Sequence, residues 1–174
     1  MVWAIIIVLC VCADQLSKAV VESSFQNVDS ITVINGFFYL VSRSNRGAAW
    51  SFLSDKEWGI YLLVIISFFA SIMMIILIYK SKNNKIKAAL SFISAGSIGN
   101  LIDRAFFQKV TDFIDLHFGS YVFPTFNIAD SLITCGTIFL IIMLLTDPAV
   151  LEDISKITAG KVKPDNKNLQ QGAR

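Results

Sequence analysis

The sequence has little charge for its length. Only 16% of its 174 residues are Asp, Glu, Lys or Arg, whereas a soluble domain carries about 25%. The net charge of +2 is too small to indicate nucleic-acid binding, and no Lys/Arg cluster is interleaved with stacking aromatic residues. Because 55% of the residues are hydrophobic and the mean hydropathy is +0.63, the composition predicts a protein that lies in lipid.

Several catalytic and metal-binding patterns are also missing. His117 is the only histidine, and no Ser–His–Asp or Cys–His set of suitable spacing surrounds it. The sequence contains neither a His-Glu-x-x-His motif nor a Gly-rich phosphate loop. The three cysteines, Cys10, Cys12 and Cys135, form no C-x-x-C spacing and lie in apolar runs. This pattern argues against a disulfide framework or a zinc site and favours small residues of a membrane core.

Long apolar runs predict four transmembrane helices, since a span needs roughly 20 mostly apolar residues. The predicted spans are residues 1–21, 58–79, 88–107 and 126–145. The first lacks a basic start and a cleavage site, so we expect a retained helix and not a signal peptide. The third is the weakest, because Asn100, Asp103 and Arg104 lie inside it, but its Gly and Ser residues suit close helix packing in lipid.

Basic residues in the loops predict the orientation of the chain. The loop between spans two and three and the tail after Leu145 together contain nine Lys and Arg residues, and the opposite loops contain four. Cytoplasmic loops carry the excess of Lys and Arg. Both termini are therefore expected in the cytoplasm.

The first outer loop, residues 22–57, is long enough to fold. Residues 31–34 and 37–41 are β-prone and flank Asn35-Gly36, the pattern of a β-hairpin. The predicted fold is thus an all-α membrane protein with four transmembrane helices and a small extracytoplasmic β-platform, which could lie on the bilayer surface. Residues 1–146 form its domain. The tail, residues 147–174, is expected to be cytoplasmic and partly disordered, with a possible short amphipathic helix over residues 147–157.

Polar side chains within spans are costly, and each one is a functional hypothesis. At a rise of about 1.5 Å per residue, those of three helices fall at one depth near the outer leaflet. They are Asp14 and Lys18 in the first helix, Asn100 and Arg104 in the third, and Asn127 and Asp130 in the fourth. Spacings of three or four residues place each pair on one helix face. Asp112 follows just beyond the third helix, so two carboxylates are expected on adjacent helix ends.

Each of these groups also has a structural explanation. The pair in the first helix could neutralise itself and ease insertion, and the pair in the third could form hydrogen bonds across helices. Asp112 alone could be a boundary carboxylate, and Asp130 alone could be an acid favoured by the helix dipole. Asp115 is expected to be solvated, and His117 is expected at the surface or interface without a clear partner.

The pairing of Asp112 with Asp130 indicates hydrolysis. Two neighbouring carboxylates do not both ionise easily, so one keeps a proton and the other acts as a base. The ionised group can activate water for attack on an amide, while the protonated group polarises the carbonyl. This chemistry needs no metal and no cofactor.

Five sequence blocks resemble the signature blocks of the lipoprotein signal peptidase family, signal peptidase II. They are Asp14–Lys18, Asn45–Ser51, Gly99–Arg104, Val110–Asp115 and Phe126–Asp130. They occur in the family's order and cover the chain from Asp14 to about Leu145. The chain departs from the family pattern at Ser94–Ser97, where a Gly-Gly-Ala run is more usual, and in lacking a basic start before the first helix.

The resemblance implies a bacterial inner-membrane aspartic endopeptidase. Such an enzyme removes signal peptides from prolipoproteins by cleaving before the diacylglyceryl-modified cysteine, with Asp112 and Asp130 as its catalytic dyad. The positions tied to active-site support or substrate contact are Asp14, Lys18, Asn45, Gly47, Asn100, Arg104 and Asn127. The expected partners are the prolipoprotein and membrane lipid, with no nucleic acid, and the chain is expected to act as a monomer with its active site on the extracytoplasmic side.

Two other functions fit parts of the sequence. A small proton- or ion-coupled transporter or channel subunit would use the intramembrane acids as a relay. Transporter sites tend to lie at the midplane between inverted repeats, whereas these acids lie near one surface and no repeat is visible. A non-catalytic membrane adaptor with an outer β-domain would leave the pairing of the two aspartates unexplained.

Overall fold

The computed structural model describes residues 1–47, 56 and 58–158. Parts of two predicted regions therefore lie outside the described residues, namely 48–55 and 57 of the outer loop and 159–174 of the tail. The elements, in chain order, are α1 (Val2–Ser24), β1 (Ser30–Ile34), β2 (Phe38–Asn45), α2 (Gly59–Lys80), α3 (Asn84–Phe107), β3 (Val110–Phe118), β4 (Tyr121–Val122), α4 (Ile128–Thr146) and α5 (Pro148–Thr158).

Three helices, α1, α2 and α4, are long and apolar enough to cross a membrane. Between 11% and 17% of each apolar stretch is buried inside the protein. Large apolar side chains on these helices are exposed; for example, Ile65 is 53%, Phe69 is 64% and Ile142 is 47% exposed. Apolar surface of this extent is compatible with lipid and not with water. The chain is therefore a multi-pass membrane protein.

Helix α3 corresponds to the predicted third span, but it is more buried and more polar than α1, α2 and α4. It packs against α1, α2 and α4, and both its small residues and its polar residues Asn100, Asp103 and Arg104 are buried. A helix enclosed by other helices does not need an apolar surface all round. This explains why, in the part of the chain that the structure describes, α3 does not qualify as a membrane span by its composition.

Small residues let α3 and α4 approach closely. A Cβ atom on Gly96 would clash with the backbone carbonyl oxygen of Ala129 and lie 2.8 Å from Ile133 Cγ1. A Cβ atom on Gly99 would lie 2.5 Å from Asp14 Oδ2. Close backbone approach through small residues is the usual basis of helix association in membranes. The small residues of this region therefore perform the packing role that the sequence indicated.

The sheet is antiparallel, with strand order β1-β2-β3-β4. The β1–β2 hairpin confirms the predicted one, and Gly36 occupies its turn with φ +75°, a conformation that favours glycine. The prediction was wrong in confining the sheet to the first outer loop. The segment between α3 and α4, for which no strands were predicted, supplies β3 and β4. The sheet therefore combines two segments of the chain, one before α2 and one after α3.

Helix α5 confirms the short amphipathic helix predicted after residue 147. Val150 is fully buried and packs in a cluster with Ile86, Leu90 and Ile93 of α3. Asp153 accepts a hydrogen bond of 2.6 Å from Ser81 Oγ and others from backbone N–H groups at the α2–α3 turn. Helix starts leave such N–H groups without intrahelical partners. Helix α5 therefore stabilises the turn between α2 and α3 through the hydrogen bonds of Asp153.

We predict that Val150→Ala destabilises the protein, because it leaves a cavity where α5 packs on α3. The expected cost is about 1–3 kcal/mol, measured as a lower Tm in detergent micelles. Leu151→Ala is the control, since Leu151 is 53% exposed and should change the Tm little. Equal shifts for the two variants would show that α5 does not dock through Val150.

We also predict that Gly96→Ala forces α3 and α4 apart and lowers the Tm, with an overpacking cost of about 1–3 kcal/mol or more. Ser91→Ala is the matched control on the same helix. The Ser91 hydroxyl is buried without a hydrogen-bond partner among the described residues, so its removal should leave the Tm unchanged or slightly higher. A Gly96→Ala protein as stable as wild type would contradict the close contact.

Candidate active site

Asp112 lies on strand β3, where it pairs with Arg43 of β2. It follows shortly after α3, as expected, but its place in a strand was not predicted: the chain leaves α3 through Gln108 in a left-handed conformation, φ 55°, and enters the sheet. Next to Asp112 the register of β2 shifts, so that residues 41 and 42 oppose Phe113 alone. Such a bulge bends a strand and redirects its side chains, often beside active sites.

Asp130 lies in the first turn of α4, as predicted. Asn127 is the N-cap residue, and its side-chain oxygen accepts a hydrogen bond of 2.9 Å from the Asp130 N–H. In return Asp130 Oδ2 accepts a hydrogen bond of 3.2 Å from the Asn127 N–H. This reciprocal capping satisfies two N–H groups of the helix start. It also fixes the direction of the Asp130 carboxyl group.

Asn127 joins the two aspartates. Its side-chain amide donates a hydrogen bond of 2.7 Å to Asp112 Oδ1, while its backbone N–H binds Asp130. The preceding residue, Phe126, exchanges backbone hydrogen bonds of 2.8 and 3.1 Å with Ile114 of β3. The start of α4 is therefore attached directly to the strand that carries Asp112. Both carboxyl groups consequently contact one fully buried residue.

A second asparagine binds each carboxyl group. Asn45 Nδ2 donates to Asp112 Oδ2 at 2.9 Å, and Asn100 Nδ2 donates to Asp130 Oδ1 at 2.8 Å. Each amide is oriented through its oxygen, since Asn45 Oδ1 accepts from the Gly47 N–H at 2.9 Å. Asn100 Oδ1 likewise lies 3.2 Å from Lys18 Nζ. The N–H groups of both amides therefore face the aspartates.

A buried ion network lies behind the two aspartates. Lys18 Nζ is 2.7 Å from Asp14 Oδ2 and 2.6 Å from Asp103 Oδ2. Asp14 Oδ1 also accepts a hydrogen bond of 2.8 Å from the Ala129 N–H at the start of α4. Gln15 adds a hydrogen bond of 2.9 Å to Asp103. The network ties α1 to α3 and α4, so the pair in the first helix binds its neighbours and does more than neutralise itself.

Sequence reasoning missed two members of this network as site residues. Asp103 shares a helix face with Asn100 at a spacing of three residues, a signal that could have identified it. Gln15 offered no comparable signal beyond its place beside Asp14. Arg104 was predicted, and its Nη2 donates a hydrogen bond of 3.0 Å to the Gly47 carbonyl oxygen. The structure thus places Gly47 next to both Asn45 and Arg104.

Asp112 has an unusual pKa. Burial is the main cause that raises the pKa of its carboxyl group to about 6; the negative charge of Asp130 also raises the pKa, whereas the hydrogen bonds from Asn45 and Asn127 lower it. A carboxyl group that changes protonation near neutral pH can both donate and accept protons. Among residues 1–47 and 58–158 no three Asp, Glu, His or Cys side chains are placed to hold a metal ion.

Asp115 and His117 differ from expectation. Asp115 was expected to be solvated, but it is 3% exposed. His117 was expected to lack a partner, but its Nε2 lies 2.9 Å from Asp115 Oδ2 and its ring packs against Tyr39. Thr125 also donates to Asp115 at 3.3 Å. Asp115 therefore joins β3 to the segment that leads into Asn127.

Comparison with known proteins identifies the family. A model of the signal peptidase (SPase) II family matches residues 6–146. A lipoprotein signal peptidase of Bacillus pumilus (strain SAFR-032) is 40% identical over 147 residues, which are 84% of this chain and 94% of that protein. Two solved structures, each described as a bacterial membrane enzyme determined by the in meso method, are also similar.

The structure determined at 2.3 Å resolution is 34% identical, with a TM-score of 0.75 and 94% of each chain covered. The one at 1.9 Å is 38% identical, with a TM-score of 0.70 and coverage of 84% of this chain and 94% of the other. Sequence and fold agree along most of the chain. This protein belongs to the signal peptidase II family.

Proposed function

We propose that this chain is an aspartic endopeptidase that removes signal peptides from prolipoproteins by cleaving before the diacylglyceryl-modified cysteine. Family membership supports the reaction and the substrate class. The observation that carries the catalytic assignment is the contact of Asp112 and Asp130 with the same residue, Asn127. These two aspartates are the proposed catalytic dyad. No observation favours a transporter or an adaptor.

The proposed reaction begins with a water molecule between the two carboxyl groups. The ionised aspartate takes a proton from this water, and the water oxygen attacks the scissile carbonyl carbon. The protonated aspartate donates its proton to the carbonyl oxygen. The C–N bond of the tetrahedral intermediate then breaks as the nitrogen takes a proton from one aspartate and a hydroxyl group of the intermediate returns a proton to the other, which restores the dyad. The products are a signal peptide with a new carboxyl group and a lipidated cysteine with a free amine. The dyad titrates as a unit, so neither role is assigned to one aspartate.

The supporting residues have proposed roles that follow from their contacts. Asn45, Asn100 and Asn127 orient the carboxyl groups through the hydrogen bonds described above. The buried pair of Asp14 and Lys18 holds α4 and Asn100 in place. The remaining two, Arg104 and Gly47, bind each other at the end of β2, where they could contact the substrate backbone.

In the proposed membrane arrangement α3 spans the membrane together with α1, α2 and α4, both termini lie in the cytoplasm and the dyad lies near the outer leaflet. The excess of basic residues in the α2–α3 loop and the tail supports this orientation. One end of the sheet exposes apolar and aromatic side chains, namely Ile34, Phe37, Phe118, Tyr121 and Phe123. Such a surface suits the membrane interface, so the sheet is proposed to rest on the bilayer. Membrane lipid is therefore a proposed partner.

The protein is proposed to act as a monomer. Among the described residues, Asn45, Asn100 and Asn127 of this chain already supply a side-chain N–H group to each carboxyl group of the dyad. No second copy is needed to complete the site. The prolipoprotein is thus the only macromolecular partner that the proposed reaction requires.

We predict that Asp112→Asn and Asp130→Asn each lower the cleavage rate on the order of 10³-fold or more, because either change removes a proton carrier of the dyad. The assay uses purified protein in detergent and a diacylglyceryl-modified prolipoprotein. Asp29→Asn is the matched control, since Asp29 is exposed and outside the site. Unchanged Tm values show that the variants are folded.

Three results of this assay would contradict the proposed function. Full activity of either variant would exclude the dyad. Cleavage by the wild type that stops when a chelator is added would indicate that a metal ion takes part. Cleavage at a position other than before the lipidated cysteine would contradict the proposed specificity.

We further predict that Asp112 titrates near pH 6 in the wild type and at lower pH in Asp130→Asn. The negative charge of Asp130 disfavours ionisation of Asp112, so its removal favours the ionised form and lowers the pKa. Because burial remains, the pKa should stay above the ordinary value of 3.8. Carboxyl ¹³C NMR of labelled aspartate, assigned by comparison with Asp112→Asn, measures the shift. An unchanged or raised pKa would mean that the carboxyl groups are far apart.

A further inference from the structure

Glu22 in the last turn of α1 contacts the start of strand β3. Its Oε1 atom accepts a hydrogen bond of 2.6 Å from Thr111 Oγ1 and lies 2.9 Å from Lys109 Nζ. Thr111 is 6% exposed and directly precedes Asp112. None of these three residues belongs to the set assigned to the site so far. The contact joins α1 to the segment that carries a proposed catalytic aspartate.

Successive side chains of a strand point to opposite faces. Asp112 therefore faces Asn45 and Asn127, while Thr111 faces the other way, toward Glu22. Strand β3 is held on one face by the amides that bind Asp112 and on the other by Glu22. A shift of Thr111 would move Asp112 with it.

The local backbone explains why this restraint matters. Helix α3 ends at Phe107 with Gln108 as its C-cap residue, so only three residues separate the cap from Asp112. On the other side of Asp112 the β2–β3 ladder is interrupted by the bulge between Leu40 and Arg43. A bulge leaves residues unpaired and disrupts the ladder locally. Thr111 belongs to the short paired segment Val110–Asp112 that ends at this bulge, so the contact with α1 adds a side-chain restraint to that segment.

We propose that Glu22 is a positioning residue for catalysis, which acts through Thr111 to hold Asp112 against Asn45 and Asn127. This inference rests on the proposed function. Lys109 has a smaller role, because its ion pair with Glu22 is largely solvated, with side chains 41% and 45% exposed. Exposed pairs of this kind contribute little. The hydrogen bond to the buried Thr111 is the contact that positions the dyad.

The test separates positioning from simple tethering of α1 to the sheet. Thr111→Val keeps the shape of the side chain but removes the donor, and it should lower kcat by roughly 10- to 100-fold with KM nearly unchanged, since small displacements of catalytic groups have effects of this size. Thr111→Ser restores the donor and should restore most of the rate. A tether that only stabilises the fold would lower the Tm and leave kcat of the folded protein intact.

Variants of the partners isolate the hydrogen bond. Glu22→Leu should match Thr111→Val, and the double variant should lose no more than either single one, because both remove the same contact. Glu22→Gln keeps an acceptor oxygen and should remain within about threefold of wild type. Lys109→Gln should also cleave at close to the wild-type rate. Additive losses in the double variant would overturn the proposal.

The Asp112 titration provides an independent readout. In Thr111→Val, weaker hydrogen bonds from Asn45 and Asn127 should shift the Asp112 titration to higher pH, because those bonds stabilise the ionised form. Wild-type kcat and an unmoved titration in Thr111→Val would overturn the inference while the dyad stands. A wild type that cannot cleave the lipidated substrate would instead defeat the proposed function, and the titration would still decide whether Glu22 positions Asp112.

Discussion

The arrangement depends on holding two carboxyl groups close together where little water reaches them. Two such groups repel one another and lose hydration on burial. Asn127 offsets both costs, because its side chain donates to Asp112 and its backbone N–H donates to Asp130. Asn45 and Asn100 each supply one further N–H group. Neutral amides stabilise the ionised state of either carboxyl group without fixing its charge, so a proton can still move between them.

The helices serve this site by fixing the amides. The charges of Lys18, Asp14 and Asp103 are buried, and breaking such a network usually destabilises a protein strongly. Here the network orients Asn100 and anchors the start of α4. It forms because small residues such as Gly99 allow the helix backbones to approach. The polar character of α3, which made it the weakest predicted span, is therefore a consequence of its place at the centre.

The sequence predicted the helices and most of the polar residues that contact the two aspartates, because apolar runs and i,i+3 or i,i+4 polar pairs are local signals. Asp130 and Asn127 follow from the helix-start pattern, and the β1–β2 hairpin follows from Asn35-Gly36. The strand carrying Asp112 was missed, because the sequence Val110–Phe118 shows no regular alternation of polar and apolar residues over its full length. Its pairing with β2 is a contact between residues about 70 positions apart. The burial of Asp115 depends on the same distant pairing and could not be read locally.

The most direct measurement of the central claim is an experimental structure of the protein in a lipid mesophase, at a resolution that shows ordered water. The account predicts one water molecule, or one hydroxyl of a bound tetrahedral mimic, within hydrogen-bond distance (about 2.6–3.2 Å) of a carboxyl oxygen of both Asp112 and Asp130. Asn127 should contact both carboxyl groups in that structure. Carboxyl groups too far apart to share a water, or directed to separate cavities, would contradict it.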